Sequence, residues 1–111
     1  MKIVYIAHPI GGDVDANLSK IRRIVRQINL SQPNIVPFVP YYADVVSMFD
    51  SIPEERERGI KNDIYLLKKG FIDELWLYGP RISKGMAAEI EIAKEMGIKI
   101  VSMSEDIIHN D

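Results

Sequence analysis

The chain of 111 residues contains no cysteine, and this absence excludes several classes of protein. Without thiols there is no disulfide framework, no thiolate-bound zinc and no cysteine nucleophile. A reducing compartment is compatible with such a composition, and we expect a cytoplasmic protein. The two histidines, His8 and His109, stand far apart in the sequence, and no clustered ligand spacing accompanies them. We therefore expect neither a metal site nor another cofactor.

Charge of one sign and long apolar runs are also missing. The 14 Lys and Arg residues against 16 Asp and Glu residues give a net charge of −2, so the composition does not indicate a nucleic acid polymer as partner. No run approaches the roughly 20 apolar residues that span a bilayer, and we expect no membrane partner. We interpret the opening "MKIVYIAHPIGG" as a strand and a loop rather than a signal peptide.

Strand-like and helix-like patterns alternate along the chain, without a repeat or a linker that would separate two domains. We therefore treat residues 1–111 as a single domain. Four strands are predicted, with the sequences "KIVYIA", "IVPFVP", "DELWLYG" and "IKIVSM". The two prolines of the second favour an irregular strand or an edge position. The segment 41–52 stays ambiguous, and the polar tail "SEDIIHND" is predicted to be peripheral. Helices are predicted over residues 14–30, from Pro53 to just before Gly70, and over 84–97. Phe71, just beyond the second of these, lies on the same apolar spacing as Ile60, Ile64 and Leu67.

This alternation predicts an α/β fold, a three-layer sandwich with a parallel sheet of four to five strands, flavodoxin-like or Rossmann-like. In such sheets, ligands bind beyond the carboxyl ends of the strands, where the strand order reverses. The loop after the first strand contains "HPIGGD", and the loop after the third contains "GPRISKG". We expect both loops at the binding edge.

The first loop has two interpretations. Gly11 and Gly12 precede a helix, where bare N–H groups would cradle a phosphate, although a Gly-Gly pair is more often only a tight turn. Asp13 would oppose a phosphate there. His8 is either a donor or proton carrier near neutral pH, or a strand-end histidine bonded to the backbone.

The second loop leads into the helix that contains two nearby glutamates. Ser83 is a suitable N-cap, and Gly85 allows a ligand to approach the backbone. Glu89 follows within two turns and is either a solvated helix residue or a nucleophile. Taken alone, the first interpretation is favoured, because the helix dipole stabilises a carboxylate near the N-terminus. Glu91 is predicted to face solvent and to pair with Lys94.

Two further charged residues precede the third strand. Taken alone, Asp63 is an ordinary exposed helix residue. Arg58 either pairs with Glu54 along a solvated helical turn or reaches an anion. In the third strand itself, Trp76 is expected in the core or at an interface.

Three motifs occur along the chain: "VYIAHP" near the N-terminus, "ND" before the third strand and the pattern "SxGMxxEIxxA" near the end. Together they resemble the nucleoside 2-deoxyribosyltransferase superfamily, which includes nucleotide N-glycosidases. The resemblance covers roughly residues 2–101. The version with "HP" and "ISKGMAAEI" is also similar to small uncharacterised members from bacteria and phages. The resemblance implies a hydrolase or pentosyltransferase that cleaves the base–sugar bond of a nucleoside or a nucleoside 5′-monophosphate.

The resemblance also implies roles for individual residues. The nucleophile falls on Glu89, the hydroxyl of Tyr5 would orient it, and Asp63 would contact the substrate or handle a proton. In the N-glycosidase branch the position of Ser83 binds the 5′-phosphate, whereas the transferases often carry an acidic residue there. A homo-oligomer, dimer or larger, is implied too, with apolar residues around "YYADVVSMF" as an interface. The substrate-binding residues are predicted to be His8, Pro9, Gly11, Gly12, Arg58, Ser83, Gly85 and Met86.

A second hypothesis is a non-catalytic nucleotide-binding or regulatory module with the same pocket, which binds a ligand without turnover. A third is another enzyme on this fold, acting on a nucleotide-sugar phosphate. Substitution of Glu89 separates the first hypothesis from the others, because removal of a nucleophile abolishes turnover.

Overall fold

The computed structural model describes residues 1–104, so His109 and most of the predicted peripheral tail lie outside the described residues. Strands and helices alternate through the described part, with a second helix before the third strand. The elements are β1 (Lys2–Ala7), α1 (Val14–Ser31), β2 (Ile35–Phe38), α2 (Tyr41–Ser47), α3 (Pro53–Leu67), β3 (Glu74–Leu77), α4 (Lys84–Met96) and β4 (Lys99–Ser102).

The four strands form one parallel sheet with the order β2-β1-β3-β4. The predicted α/β fold is therefore confirmed, with four strands among residues 1–104. Strand β2 is at an edge as predicted, and its Pro37 lies opposite Val4 of β1. From β1 the chain moves outward to β2, then returns across β1 to β3, so the strand order reverses between β1 and β3. Ligands of such folds bind at the carboxyl ends of these two strands.

Successive side chains of the central strands point to opposite faces of the sheet and enter two apolar clusters. The smaller cluster contains Trp76, which is in the core, and the indole Nε1 of Trp76 donates a hydrogen bond to Glu74 (3.0 Å). Helix α1 contributes to both clusters, with Leu18 and Ile21 in the larger one. The smaller cluster has the buried members Val4, Ile6, Ile28 and Trp76. Helices α2, α3 and α4 contribute to the larger one, whose buried members include Tyr5, Ala7, Tyr41, Leu67, Leu75, Leu77, Met86 and Ile90.

The ambiguous segment after β2 begins with a short helix that is fixed to the central strand. Tyr41, the first residue of α2, is buried, and its hydroxyl donates a hydrogen bond to the carbonyl of Ile6. Because Ile6 lies near the carboxyl end of β1, this bond holds α2 beside the predicted binding edge.

Helix α3 begins at Pro53 as predicted but ends earlier than its apolar spacing indicated. Its last residue is Leu67, and Gly70 adopts a positive φ of 85°, a conformation that favours glycine and turns the chain toward β3. The prediction that Phe71 continues the helical face is wrong. Phe71 lies beyond the helix and packs edge-on against Phe38, with ring centroids 5.6 Å apart.

The ion pairs predicted along the helix surfaces are not formed. Neither Glu54 and Arg58 nor Glu91 and Lys94 approach within salt-bridge distance, and within residues 1–104 Lys2 Nζ and Glu74 Oε2 form an ion pair at 2.7 Å. Exposed pairs gain little Coulomb energy and lose side-chain entropy, which explains their absence. No helix in the described part is both long and apolar enough to cross a membrane.

Candidate functional site

A cleft opens at the carboxyl ends of β1 and β3, between the loop that follows β1, helices α2 and α3, and the start of α4. This is the edge at which the strand order reverses, so the cleft lies where the fold predicts a ligand. Both predicted loops contribute to it. The predicted site residues that line the cleft are His8, Gly11, Asp63, Ser83, Gly85, Met86 and Glu89.

Glu89 is buried in the wall of this cleft and is held by Tyr5. Its side chain is only 8% exposed, and one of its oxygens, Oε2, accepts a hydrogen bond from the Tyr5 hydroxyl. Burial raises the pKa of Glu89 to about 7, although the hydrogen bond from Tyr5 acts in the opposite direction. Glu91, two residues further, is exposed as predicted. The structure therefore separates the two glutamates, and the solvated interpretation of Glu89 is wrong.

Asp63 is a second buried carboxyl group in the same cleft. It is 7% exposed, and its Oδ1 has no hydrogen-bond partner among the described residues. Burial, followed by the charges of Glu89 and Asp44, raises the pKa of Asp63 to about 8. The interpretation of Asp63 as an exposed helix residue is wrong, because this face of α3 turns toward the cleft.

Ser83 and Gly85 give the first turn of α4 an open surface toward the cleft. Ser83 is the N-cap as predicted, and its Oγ accepts a hydrogen bond from the backbone N–H of Met86 (3.2 Å). A Cβ atom at Gly85 would find no atom within 4 Å. The glycine therefore leaves room for a ligand, and no packing contact requires it.

His8 is buried at the end of β1 and bonds to the backbone, which is the second of its two interpretations. It is 5% exposed, and its Nδ1 lies 2.7 Å from the carbonyl oxygen of Pro9. Since a carbonyl only accepts, Nδ1 carries the hydrogen, and Nε2 of the neutral ring is an acceptor. Burial lowers the pKa of His8. The neutral ring thus offers the cleft an acceptor rather than an acidic proton.

The glycine loop after β1 lies between two carboxylates, those of Asp13 and Asp50. The carboxylate of Asp13 caps α1 and accepts from the N–H of Ala16 (3.1 Å), so it occupies the place a phosphate would take. A Cβ at Gly11 would lie 3.7 Å from Oδ2 of Asp50, and the Gly11 carbonyl accepts from Arg81 (3.2 Å). The loop is therefore closed by its own contacts, with a carboxylate beside it.

Four predicted residues lie outside the set that lines the cleft. Tyr5 is one of them and acts on the cleft only through Glu89. Pro9 is buried, Gly12 is a turn residue with a φ of 97°, and Arg58 is exposed on α3. Two residues along a helix correspond to a rotation of about 200°, so Arg58 points away from the face that carries Arg56.

The arginine of α3 that lines the cleft is Arg56 rather than the predicted Arg58. Arg56 lines the cleft, together with Gly59, Ile60 and Asp63 at the 3–4 spacing of one helical face. This spacing was the available signal, because a helix that presents Asp63 to a ligand also presents the residues three, four and seven positions earlier.

A second missed position is Gly79, directly after β3. Its φ is 93°, and a Cβ there would lie 2.6 Å from Cδ of Pro9 and 3.6 Å from Nε2 of His8. The glycine thus lets the loops after β1 and β3 meet. A glycine directly after a predicted buried strand was the signal.

Acidic groups missed from the sequence complete the cleft. Asp44, Asp50 and Glu55 line it beside Asp63 and Glu89. Asp44 Oδ1 accepts a hydrogen bond from Asn62 (3.3 Å), and Glu55 Oε1 accepts from the N–H of Phe49 (3.2 Å). In residues 1–104 no group of three or more metal-ligating side chains is arranged around one point.

These features define a doubly wound α/β domain with an acidic cleft at its topological switch point. The chain belongs to the family described as "Domain of unknown function (DUF7768)", whose family model matches residues 2–103. No curated protein matches the sequence significantly.

Two solved structures share the fold. A 2-deoxyribosyltransferase from Leishmania mexicana has a TM-score of 0.61 at 18% identity, and the match covers 96% of this chain and 66% of that protein. A 2-deoxyribosyltransferase from Bacillus psychrosaccharolyticus has a TM-score of 0.58 at 20% identity, with 96% and 77% of the two chains covered. This chain therefore spans just under two thirds of the Leishmania protein.

Proposed function

We propose that the protein cleaves the base–sugar bond of a nucleoside, as a hydrolase or a pentosyltransferase, with Glu89 as the nucleophile. The observation that carries the proposal is the hydrogen bond from the Tyr5 hydroxyl to a buried Glu89 in the switch-point cleft. The fold shared with two proteins named 2-deoxyribosyltransferases supports it. The second buried carboxyl group, Asp63, can supply the proton that a leaving base requires.

In the first step the ionised Glu89 carboxylate attacks the anomeric carbon of the sugar. A bond forms between that carbon and a Glu89 oxygen, the carbon–nitrogen bond breaks, and its electron pair leaves with the base. Asp63 donates its proton to the departing base. Burial, followed by the charge of Glu89, raises the pKa of Asp63 and keeps that proton in place until then.

In the second step a nucleophile resolves the covalent sugar ester. Water in a hydrolase, or the nitrogen of a second base in a transferase, attacks the anomeric carbon, and the carbon–oxygen bond to Glu89 breaks. The carboxylate of Glu89 is regenerated, and Asp63 accepts the proton that the incoming group releases. Two buried carboxyl groups with different proton affinities thus serve both steps.

The test measures free base from a panel of nucleosides and their 5′-monophosphates, with and without an acceptor base. We expect the wild type to release base, and Glu89→Gln to lower the rate by about a thousandfold or more, because a covalent step is lost. Glu91→Gln is the matched control on the same helix and should retain the wild-type rate, since Glu91 is exposed.

A different result points to another function. If no substrate yields free base while nucleosides bind measurably, the non-catalytic module replaces the proposed enzyme. If both glutamine variants lose activity equally, Glu89 has no special chemical role, and the assigned nucleophile is wrong.

A further inference from the structure

The cleft has more carboxyl groups than the proposed reaction uses. Glu89 and Asp63 have roles in it, whereas Asp44, Asp50 and Glu55 have none. Among the residues that line it, one guanidinium (Arg56) and one histidine (His8) stand against five carboxyl groups, which belong to Asp44, Asp50, Glu55, Asp63 and Glu89. Converging charges of one sign attract ligands of the opposite sign and repel ligands of the same sign.

The charge is also located where a phosphate would otherwise bind. Asp50 lies beside Gly11, and the Asp13 carboxylate occupies the N-terminus of α1. At α4 the equivalent place is taken by the Ser83 hydroxyl, which accepts from Met86. The N-termini of α1 and α4 therefore each use their own side chain as the acceptor, with which an anion would have to compete.

The buried end of the cleft contains a carboxyl oxygen without a hydrogen-bond partner among the described residues. Oδ1 of Asp63 has no hydrogen-bond partner in the described part, although Asp63 is more than nine-tenths buried. Buried polar atoms in native proteins are nearly always paired, so this atom indicates a polar ligand group at this end of the cleft. A positive charge on that group would favour the ionised form of Asp63, which then accepts a hydrogen bond or pairs with the charge.

The lining of the cleft also includes apolar side chains, among them an exposed aromatic ring. Phe49 lines the cleft with a 69% exposed side chain and follows Met48 in the sequence, and Ile60 also lines the cleft. An aromatic face and a thioether pack well against a flat ring, and a ring that is cationic gains further from the electrons of the aromatic face.

From these observations we propose that the substrate is a nucleoside without a 5′-phosphate whose base is a flat, positively charged heterocycle. The proposal rests on the proposed function and narrows its substrate class. It also balances chemically, because the electron pair of the broken carbon–nitrogen bond neutralises the cationic base. Such a base departs without a proton from Asp63, so this carboxyl group is left to contact the base.

The experiment compares binding and turnover within matched pairs of ligands. Nicotinamide ribonucleoside and 7-methylguanosine carry cationic bases; nicotinic acid ribonucleoside and guanosine are their counterparts without net positive charge. Each is tested with and without a 5′-phosphate. Calorimetry with Glu89→Gln gives dissociation constants without consumption of ligand, and free base is measured with the wild type.

We expect each cationic nucleoside to bind about tenfold or more tightly than its counterpart, and a 5′-phosphate to weaken binding. The ratio of the two dissociation constants within a pair should fall with added salt and in Asp50→Asn. It should stay the same in Asp15→Asn, because Asp15 is exposed outside the cleft. Asp63→Asn should slow base release from guanosine more than from 7-methylguanosine, since only the neutral base needs a proton.

The outcomes separate this inference from the function on which it rests. Equal affinity within the pairs, or tighter binding of 5′-monophosphates that is lost in Arg56→Gln, overturns the inference even if base is released. A preference for cations without release of base from any ligand overturns the proposed enzyme and retains the ligand class. The salt dependence of the wild type decides the charge effect even if Asp50→Asn fails to fold.

Discussion

At the scale of single residues, the Tyr5 hydroxyl controls both the orientation and the acidity of Glu89. Because this hydrogen bond lowers the pKa of Glu89 against the effect of burial, Tyr5→Phe should raise that pKa above its value of about 7. The acidic limb of the profile of kcat/KM against pH should then move to higher pH, with a loss of roughly 10- to 100-fold at neutral pH.

The pH profile distinguishes this role from a structural one. Tyr65→Phe is the matched control, because Tyr65 is 54% exposed and lies outside the cleft. A Tyr5→Phe variant that loses rate equally at every pH would contradict the proposed effect on the acidity of Glu89.

The two buried carboxyl groups predict a narrow optimum of pH for a neutral base. In the proposed reaction Glu89 attacks when it is ionised, above about pH 7, and Asp63 donates when it is protonated, below about pH 8. We therefore expect a bell-shaped profile of kcat/KM whose two apparent pKa values belong to the coupled pair. Asp63→Asn should remove the alkaline limb. An alkaline limb that persists in this variant assigns the acid to another group.

The residue scale also marks the limit of what the sequence predicted about the site. The resemblance singled out Glu89, Tyr5 and Asp63, and the structure brings these three side chains together. Local patterns alone favoured an exposed Glu89 and an exposed Asp63, because a carboxylate early in a helix or between polar neighbours is usually solvated. Their burial depends on which face of α3 meets α4, and no local pattern contains that information.

At the scale of elements, a substitution of Gly85 in the first turn of α4 should change stability and substrate binding in opposite directions. A Cβ at this position has open space, and alanine is favoured over glycine in helices by up to about 1 kcal/mol. Gly85→Ala should therefore raise the midpoint of urea unfolding while it weakens substrate binding, because the added methyl group occupies the cleft. Ala87→Gly, on the exposed side of α4, should lower the midpoint and leave activity unchanged.

Unchanged activity in a stabilised Gly85→Ala would show that no ligand approaches the start of α4. A destabilised variant would show instead that the backbone at Gly85 requires glycine. The two measurements, unfolding and base release, therefore test the site and the helix independently.

Element boundaries were predictable where one residue type fixes the backbone, and not elsewhere. Pro53 started α3 and Gly97 ended α4 as expected, since proline suits the first helical turn and glycine suits the left-handed C-cap. Helix α2 was not predictable, because its formation depends on the burial of Tyr41 and the bond to the Ile6 carbonyl. Arg56 and Arg58 were confused for the same reason, since the tertiary contact decides which face is inside.

At the scale of the whole molecule, the buried carboxyl groups make stability depend on pH. The folded state raises the pKa of Glu89 from 4.5 to about 7 and that of Asp63 from 3.8 to about 8. Below about pH 4 both states retain these protons, and above it the unfolded chain releases them first. The free energy of unfolding should therefore fall as pH rises from about 4 to about 8.

Neutral replacements of the two groups test this dependence. Glu89→Gln combined with Asp63→Asn should flatten the decline and stabilise the fold by on the order of 1–3 kcal/mol at about pH 8, measured by urea unfolding. If the double variant has the same slope as the wild type, the two carboxyl groups are not protonated in the folded protein.

The parallel sheet and the position of its carboxyl edge followed from the alternation of strand and helix patterns. Charge at that edge did not follow, because Asp44, Asp50 and Glu55 come from separate turns that only the folded chain brings together. The homo-oligomer implied by the resemblance stays a prediction, which the mass in solution from light scattering tests.

The position of Trp76 makes its fluorescence a probe of the folded core. It is the single tryptophan of the chain, and it is buried on the sheet face opposite the one from which Tyr5 reaches Glu89. Its emission should shift to longer wavelength when the core opens to water and stay constant when a ligand enters the cleft. Every substitution proposed for the cleft thus comes with a fluorescence signal that reports folding alone.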